Sequence, residues 1–502
     1  MKILPVRQIR EADAYTITHK PLASSDLMEK AGTQCFNWIR KRISTSIPVI
    51  VFCGPGNNGG DGLVTVRLLA RQGYQIKAYL LMISNKFSGD FQLNLDRLQK
   101  TDGAEIIHLT EKDTLPEIPE NALVIDAIFG SGLSRPVTGF PASVIRHINH
   151  HSQLTIAIDI PSGLYADEHT ASLGGAIIEA AHTLSFQFPK FSFLFAENEK
   201  FVGNWHILPI GLMKEFTDTL DIKNFTVERK EVTNLRKQRS RYAHKGHFGH
   251  ALLIAGSYGK MGAALLAARA ALRAGAGLVT AHIPKKGYEI IQTAVPEAMV
   301  SIDEQNDHFS RTPELSLFNA IGIGPGLGTA KETQQAMKLL IQNTSVPLLV
   351  DADGINILSE NKTWLSFLPA KSILTPHPKE FERLFGKCSN DFERNRRQRE
   401  FSAMHNIYIV LKGAFTCIST PEGKCFFNTT GNPGMATGGS GDVLTGIILG
   451  LLAQHYHPQE ACILGVYLHG LAGDLAAKKQ SPEALIAGDI IENLGKAFRK
   501  IM

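Results

Sequence analysis

The chain has 502 residues, of which 44% are hydrophobic and 20% are charged, and its formal net charge is +5. This length exceeds what one hydrophobic core supports and fits two or three domains, while the composition excludes a disordered chain. The small positive charge indicates a mild preference for anionic ligands and gives no reason to expect a nucleic-acid partner.

Cysteine usage and hydropathy predict a soluble protein of a reducing compartment. The six cysteines are scattered without a CxxC pair, whereas disulfide frameworks are short and dense in cysteine. The apolar run at the N-terminus is broken at Arg7, which argues against a signal peptide. The longest apolar run, 443–453, is too short for a hydrocarbon core of roughly 30 Å. We therefore expect a cytoplasmic location and no membrane partner.

Short apolar runs alternate with amphipathic segments through the first half of the chain. The predicted strands are 48–53, 75–82, 122–126 and 155–159. The predicted helices are 63–72, 89–100 and 141–149. This alternation is typical of an α/β domain in which helices cover both faces of a parallel sheet, that is, a three-layer αβα sandwich. Functional loops should then follow the carboxyl ends of the strands.

A polar stretch separates this half from a second alternating pattern. Residues 213–241 are rich in charge and end in a basic run, which we interpret as a solvated interdomain linker rather than a nucleic-acid site. The predicted strands that follow are 251–255, 279–283, 320–323, 346–351, 407–411 and 415–419. The predicted helices are 263–274 and 442–453, and the turn at 421–423 predicts a hairpin after the last strand.

The loop GPGNNGGDG, residues 54–62, lies between the first strand and its helix. It formally matches GxGxxG, but the second strand ends through 80–83 without the acid that an ordinary dinucleotide site uses for the ribose. An anion-binding turn with additional amide and carboxylate groups is the interpretation we favour, and a plain glycine turn is the structural alternative. Asp126 and Asp159 end two further strands, so oxygen atoms gather that suit a hard cation or a general base. Either aspartate alone could instead be a turn former.

The strings GPGNNGGDG, DAIFGSGLSRP and IDIPSGL, at these spacings, resemble the YjeF-type N-terminal domain, an NAD(P)H-hydrate epimerase. The resemblance covers residues 1–212 and implies a Rossmann-like fold. It implies that the hydrated nucleotide contacts Asn57, Asn58, Gly59, Gly60, Asp61, Gly130, Ser131, Gly132, Leu133, Ser134, Arg135, Pro136 and Asp159. It also implies a potassium ion held by Asn58, Asp126 and Ser162, and Asp159 is the expected catalytic proton shuttle at C6 of the reduced ring.

The stretch GNPGMATGGSGD, residues 431–442, is the strongest motif in the chain. Its glycines free the backbone to direct N–H groups at one place, and the predicted helix from Asp442 adds its positive dipole end. Such a nest suits a phosphoryl group in transit, and Asp442 could accept the proton of an attacking hydroxyl. A flexible glycine loop is the structural alternative.

Further loops support a phosphate-handling site. Lys412 to Thr416 follows a strand and offers a cation with close backbone approach, and His377 is fixed between two prolines. Asp351 and Asp353 could help bind magnesium directly or through water, although Asp353 could simply cap a helix. A zinc site is also conceivable from His244, His247 and His250, but no cysteine or fourth ligand is near and we expect a strand entry there.

The strings HKGHFGH, GIGPGLG, DADGIN, LTPHPKEFERL, LKGAFT and GNPGMATGGSGDVLTGII, with GKMGAALLAARAALRAGAGLV, resemble the ribokinase-like superfamily. Within it they resemble the ADP- or ATP-dependent NAD(P)H-hydrate dehydratases, and the corresponding domain is residues 242–502. The resemblance implies that the hydrated nucleotide contacts Ala263, Gly326, His377 and the catalytic Asp442. It implies that the adenine nucleotide, accompanied by Mg²⁺, contacts Lys412, Gly413, Ala414, Phe415, Thr416 and Gly441.

The two resemblances together imply a bifunctional repair enzyme, and a homo-oligomer is expected. The first half would interconvert the R and S forms of hydrated NADH and NADPH (NADHX and NADPHX). The second would dehydrate the S form while ADP is converted to AMP and phosphate, although the sequence does not decide between ADP and ATP. One alternative is a kinase of a small hydroxylated metabolite with an N-terminal binding module. Another is an interaction scaffold, against which the clustered Asp61, Asp126 and Asp159 argue.

Overall fold

The computed structural model describes residues 1–84, 86–170 and 174–502 and divides the chain into two α/β units. The first unit comprises Lys2–Ile222, and the second comprises Met1 together with Lys223–Met502. Every helix within those described ranges is too short or too polar to cross a bilayer.

The first unit is built on a seven-stranded parallel sheet. Its strands are β1 (Val49–Cys53), β2 (Ile76–Leu81), β3 (Ala104–Leu109), β4 (Leu123–Ala127), β5 (Leu154–Ile158), β6 (His182–Phe186) and β7 (Asn204–Leu208). They pair in the order β3-β2-β1-β4-β5-β6-β7, and every pairing is parallel. All residues of β1 and β4 are buried, as expected for apolar strands covered on both faces. The strand order reverses between β1 and β4, where open α/β sheets bind ligands.

Helices cover this sheet, and α3 in particular begins well before the residue that the sequence predicts. The helices are α1 (Val6–His19), α2 (Ser24–Ile39), α3 (Asn57–Ala70), α4 (Gly89–Gln99), α5 (Gly139–His151), α6 (Glu199–Val202) and α7 (Lys214–Thr219). The predicted helix 63–72 starts at Asn57, so the asparagines of the glycine loop form the first helical turn. Gly59 permits this, because a Cβ atom there would lie 1.9 Å from the Gly54 carbonyl oxygen.

The second unit contains a ten-stranded sheet. Its strands are β8 (Asn224–Thr226), β9 (His250–Ile254), β10 (Leu278–Ile283), β11 (Met299–Ile302), β12 (Ala320–Ile323), β13 (Leu348–Val350), β14 (Ile373–Leu374), β15 (Tyr408–Leu411), β16 (Cys417–Ser419) and β17 (Cys425–Phe427). The order is β11-β10-β9-β12-β13-β14-β15-β16-β17-β8, parallel from β11 to β15. β16 and β17 form an antiparallel pair, which confirms the predicted hairpin.

One helix of this unit is almost entirely buried. The helices are α8 (Arg229–Leu235), α9 (Met261–Ala274), α10 (Tyr288–Ala294), α11 (Lys331–Asn343), α12 (Ala352–Glu360), α13 (Pro378–Phe385), α14 (Asp391–His405), α15 (Ser440–Ala453), α16 (Pro458–Lys479) and α17 (Ala487–Lys500). α15 is apolar all round, as a core helix should be. Gly446 and Gly450 let it lie directly on α9, because Cβ atoms there would approach the carbonyl oxygens of Ala267 and Ala271 to 2.2 and 2.5 Å.

The polar stretch predicted as a linker contains three short elements. α7 belongs to the first unit, whereas β8 and α8 belong to the second. β8 pairs with β17 and so completes the edge of the second sheet. Residues 224–235 are therefore structured parts of the second unit, and the two units divide between Ile222 and Lys223. The α/β class and the two-domain organisation predicted from the sequence are confirmed.

Candidate active sites

The first candidate site is a cavity of about 780 Å³ in the first unit. β1, β4 and β5 are neighbours in the sheet, and the segments that follow their carboxyl ends bring Asn57, Asn58, Asp61, Ile128 to Leu133 and Asp159 to its wall. The parallel arrangement thus brings together the three loops that the sequence singles out, at the point where the strand order reverses.

Asn58 lies at the base of this site with an unsatisfied amide. The residue is buried in the first turn of α3, and neither its Oδ1 nor its Nδ2 atom has a hydrogen-bond partner within the described residues. Gly130 lies directly above it, since a Cβ atom there would be 3.2 Å from Asn58 Cβ. A buried amide without a partner is costly, so this side chain is arranged for something that binds.

Asp126 and Ser162 form a buried pair beneath the cavity. Ser162 donates from Oγ to Asp126 Oδ1 at 2.6 Å and from its backbone N–H to Oδ2 at 2.8 Å. Burial raises the pKa of Asp126 to about 6, although the hydrogen bonds from Ser162 and Ile128 oppose that shift. With Asn58 they provide carboxylate, hydroxyl and amide oxygens, which are the ligands a hard monovalent cation accepts.

Asp159 is held by a buried lysine. Lys190, only 1% exposed, donates to Asp159 Oδ1 at 2.7 Å and to Ser185 Oγ at 3.1 Å. Asp159 directly follows β5 and has a positive φ of 64°, a conformation that aspartate tolerates better than most residues. The turn directs the strand-end carboxylate towards the cavity, where Lys190 also lines the wall.

Two further carboxyl groups in the wall of the cavity, those of Asp61 and Asp13, have raised pKa values. The pKa of Asp61 is raised well above its ordinary value by burial and then by the charges of Asp159 and Asp13. The pKa of Asp13, on α1, is raised to about 7 by burial and by Asp159, while Lys190 opposes the shift. Carboxyl groups tuned towards neutrality in a cleft are a feature of acid–base sites.

The wall of the cavity contains some of the residues predicted to bind the nucleotide and not others. Those present are Asn57, Asn58, Asp61, Gly130, Ser131, Gly132, Leu133 and Asp159. Among the described residues that form the wall, Gly59, Gly60, Ser134, Arg135 and Pro136 do not appear. Gly59 and Gly60 are buried within α3, where they allow close packing rather than offering side chains.

The second candidate site lies in the second unit, at the carboxyl ends of five adjacent strands. β9, β12, β13, β14 and β15 are consecutive neighbours in the sheet. Ser257, Gly326, Asp351, His377 and Lys412 follow these strands in turn. The predicted loops are therefore brought to one edge of the sheet.

Asp442 occupies the first turn of α15. The helix begins at Ser440 after Gly439, whose φ of 89° lies in the left-handed region and whose Cβ atom, if present, would lie 2.5 Å from a Leu266 methyl group. Burial raises the pKa of Asp442 to about 6, with further contributions from Asp351 and Asp353 and an opposing one from Lys412. The carboxyl group therefore lies at a helix N-terminus with a pKa suited to accepting a proton near neutral pH.

Lys412 forms ion pairs with two carboxylates near Asp442, those of Asp351 and Glu380. Its Nζ atom donates to Asp351 Oδ1 at 2.8 Å and lies 3.9 Å from a carboxylate oxygen of Glu380. Burial alone would lower the pKa of Lys412, but Asp351 and Glu380 outweigh it and the pKa is raised. The other oxygen of Asp351 accepts from Thr445 at 2.7 Å. A Cβ atom on Gly441 would lie 3.5 Å from Lys412 Nζ, so the cation faces the glycine nest.

His377 and Gly326 complete the edge of this site. His377 caps α13. Its ring Nδ1 atom accepts hydrogen bonds from the backbone N–H groups of Lys379 and Glu380, and its backbone N–H donates to Glu380 Oε2 at 2.8 Å. Gly326 has a φ of 62°, and a Cβ atom there would lie 3.0 Å from Ala263 Cβ. All four residues predicted to contact the substrate thus lie on the loops and helices at this edge of the sheet.

Both predicted magnesium ligands, Asp351 and Asp353, already accept hydrogen bonds. Asp353 Oδ2 accepts from Gly328 N–H at 2.8 Å and from Lys260 at 3.1 Å, and these bonds lower its pKa although burial opposes them. It lies inside the first turn of α12, whose N-cap is Asp351. The carboxylate oxygens at this edge suit Mg²⁺, which retains several waters and so can be held through them.

Several residues of the two sites escape prediction from the sequence. Asp13 and Lys190 come from α1 and from the segment after β6, far in sequence from the glycine loop. Lys190 leaves one signal, a lone cation within an aromatic stretch from Phe186 to Phe195. His469, on α16, is half-buried, and its Nε2 atom lies 2.9 Å from the Ser440 carbonyl oxygen at the nest. Burial lowers the pKa of this imidazole to about 4.

Of the three histidines, His244 and His247 form a local cap before β9, and His250 is the first residue of that strand. His244 Nδ1 accepts from Gly246 N–H at 3.2 Å, and its ring packs against His247 with centroids 4.0 Å apart. His250 Nε2 lies 2.8 Å from Thr280 Oγ1. Within the ranges that the structure describes, no group of three or more histidine, cysteine, aspartate or glutamate side chains is arranged to hold a metal ion.

Comparison with family models and known proteins gives the same division of the chain. A model described as YjeF-related protein N-terminus matches residues 24–192, and one described as NAD(P)H-hydrate dehydratase matches residues 251–496. A bifunctional NAD(P)H-hydrate repair enzyme of Moorella thermoacetica is 35% identical over 100% of this chain and 97% of its own length. The protein of that name from Escherichia coli is 32% identical over 93% of this chain and 88% of its own length.

A solved structure is similar to the second half. It is an ADP/ATP-dependent NAD(P)H-hydrate dehydratase from Bacillus subtilis, crystallised with ATP and Mg²⁺. The sequence identity is 32%, the TM-score is 0.48, and the match covers 55% of this chain and 99% of the Bacillus chain.

Proposed function

The chain belongs to the bifunctional NAD(P)H-hydrate repair enzymes, and from this membership we propose which of its residues perform the two reactions. The first unit is the NAD(P)H-hydrate epimerase, and the ribokinase-like second unit is the ADP/ATP-dependent NAD(P)H-hydrate dehydratase. Relatives similar over 93% and 100% of the chain favour this function over a metabolite kinase attached to a binding module.

The dehydratase reaction starts at Asp442. Its carboxylate accepts the proton of the C6 hydroxyl of the S form, and the hydroxyl oxygen attacks the terminal phosphorus of ADP, from which AMP leaves. The N–H groups of the nest from Gly438 to Gly441 take up the charge that develops on the phosphoryl oxygens. The lone pair of the ring nitrogen then expels phosphate, and loss of a proton from C5 restores the double bond.

Lys412 and the strand-end carboxylates organise the phosphates in this proposal. Lys412 faces Gly441 and is oriented by Asp351 and Glu380, so it can pair with the nucleotide phosphates. Asp351 and Asp353 would hold Mg²⁺ through water, because both already accept hydrogen bonds, and the ion would supply positive charge to neutralise the phosphates. The observation that carries the dehydratase assignment is Asp442 in the first turn of α15, with a pKa raised to about 6 beside Lys412.

The epimerase reaction uses the cavity of the first unit. The hydrated ring binds between the loop from Gly130 to Leu133 and the first turn of α3, and Asp159, oriented by Lys190, transfers the proton of the hydroxyl group on C6. The partnerless amide of Asn58 with the buried Asp126 and Ser162 provides a fitting set of oxygens for potassium. That ion would supply positive charge at the base of the site. Asn57, Gly59, Gly60, Asp61 and Ser134 to Pro136 complete the proposed nucleotide site.

Two properties of the whole protein accompany this function. We propose a cytoplasmic location, because hydrated cofactors arise where the reduced cofactors are used. We also propose a homo-oligomer, for which the edge strand β11 offers support: Met299 and Ile302 on it are 42% and 50% exposed. Exposed apolar side chains on a sheet edge favour pairing with another chain.

The test uses both epimers of hydrated NADPH with ADP and Mg²⁺, and follows the absorbance band of the reduced nicotinamide ring. The wild-type protein should restore the signal from both epimers. Asp159→Ala should restore it from the S form only, and Asp442→Ala from neither. An Asp442→Ala protein that dehydrates the S form at the wild-type rate would overturn the assignment of the base.

A further inference from the structure

Asp13 provides an unengaged carboxyl group in the cavity of the epimerase unit. It projects from α1 into the wall that also contains Asp159, and its Oδ1 atom is buried without a hydrogen-bond partner among the described residues. Asp159, by contrast, is engaged by Lys190 at 2.7 Å. The ionisable side chains that line this cavity are Arg10, Asp13, Asp61, Asp90, Asp159 and Lys190.

We propose that Asp13 is a second catalytic acid–base residue of the epimerase and works as a pair with Asp159. This inference rests on the proposed function of the first unit. Inversion at C6 must break and remake a bond, and one group must then give a proton while another takes one. The two carboxyl groups that the cavity holds beside Lys190 can divide these tasks, because only one of them is ion-paired with the lysine.

The electrostatic environment suits this division. Burial raises the pKa of Asp13 to about 7, the charge of Asp159 adds to the rise, and Lys190 opposes it. Near neutral pH both protonation states of Asp13 are therefore populated, which a residue that alternates between acid and base requires. The pKa of Asp61 is raised well above the ordinary value by burial, then by the charges of Asp159, Asp13 and Asp90.

The chemistry balances with these two residues alone. C6 of the hydrated ring bears a hydroxyl group and the ring nitrogen N1. The Asp159 carboxylate takes the hydroxyl proton, the oxygen electron pair forms the C6=O bond, and the electrons of the C6–N1 bond move to N1. N1 takes a proton from the Asp13 carboxyl group, which leaves an aldehyde and an open chain.

Ring closure reverses these transfers on the other face. Rotation about the C5–C6 bond turns the opposite face of the aldehyde towards N1. N1 attacks C6 and returns its proton to Asp13, while Asp159 returns its proton to the oxygen. The product is the other epimer, both carboxyl groups recover their starting states, and no oxidant or further reactant is consumed.

The test removes the titratable group while keeping its shape. Epimerisation is measured without ADP, starting from the pure S form, with chromatographic separation of the R form and subtraction of the spontaneous rate. Asp13→Asn should lower the kcat of epimerisation about 100-fold, the lower end of the usual contribution of a general acid or base. The rate of S-form dehydration with ADP should stay unchanged. Glu11→Gln, an equal loss of charge on the exposed face of α1, is the matched control and should epimerise normally.

A pH profile separates an acid–base role from a structural one. The pH profile of the wild-type epimerisation rate should have an inflection near pH 7, and the profile of Asp13→Asn should lack it. Asp13→Glu keeps an acid and should recover at least about a tenth of the wild-type rate together with the inflection. Equal loss of activity in Asp13→Asn and Asp13→Glu with an unchanged profile would overturn the proposal, as would a normal rate in Asp13→Asn. Failure of the wild-type protein to speed epimerisation would instead overturn the proposed function itself.

Discussion

The pH dependence of the dehydratase rate below pH 7, the acid limb of its pH–rate profile, tests the environment of Asp442. With a pKa of about 6 in place of the ordinary 3.8, the fraction of carboxylate falls about tenfold between pH 7 and pH 5. Because only the carboxylate can accept the hydroxyl proton, the rate should fall by the same factor. A free aspartate would lose little of its charge over that range.

The substitution that should shift the pKa of Asp442 is Asp351→Asn. After burial, the charge of Asp351 is the largest contribution that raises the pKa of Asp442, and Lys412 lowers it. Removing that charge also releases Lys412 from its partner, so both effects lower the pKa of Asp442. The midpoint of the acid limb should therefore move to lower pH, whatever happens to the maximal rate.

The assay measures initial rates of S-form dehydration at saturating ADP and Mg²⁺, with a protein-free blank at each pH because the reduced ring is acid-labile. Titration of ADP itself would give the same limb in both proteins. A midpoint that is unmoved in Asp351→Asn, or a wild-type rate that stays level from pH 7 to pH 5, would refute the account of Asp442 given above.

Two further outcomes are expected of the first unit. Lys190→Met should lower its free energy of unfolding by about 3 kcal/mol, because it leaves Asp159 without its buried partner. Lys200→Met is the control, because Lys200 forms an exposed ion pair with Glu179. Denaturant titration should show a change of less than about 1 kcal/mol in the free energy of unfolding of this variant. Replacing potassium by tetramethylammonium should slow epimerisation and lower the melting temperature of the wild-type protein but leave dehydration of the S form intact. Asn58→Leu should abolish that response, and a melting temperature that still follows potassium would exclude Asn58 as a ligand.

The sequence predicts the dehydratase site more completely than the epimerase site, for a physical reason. The nest and Asp442 are neighbours in the chain, so one motif specifies both the backbone conformation and the reactive group. Asp13 and Lys190 reach their cavity only through packing of α1 and of the segment after β6 against the sheet. No local pattern encodes such a meeting.

The glycine loop shows a second limit of local patterns. The motif at 54–62 predicts a turn that precedes a helix, whereas Asn57 already begins α3. What decides this is the close approach of Gly59 to the Gly54 carbonyl oxygen, a tertiary constraint that spacing alone does not reveal. The strand β8 is similar, because its polar residues form a strand only where β17 offers a partner.

The aspartates of the two sites have different tasks because their surroundings differ. Asp442 has to be a carboxylate at neutral pH, and Lys412 beside it holds the pKa near 6 against burial and the charge of Asp351. For Asp61, burial and the charges of Asp159, Asp13 and Asp90 raise the pKa well above its ordinary value. Asp13 lies between these cases, since Lys190 offsets only part of the effect of burial and of Asp159. One residue type can thus supply a base in one site and an exchanging acid in the other, because Lys412 and Lys190 offset the effect of burial to different extents.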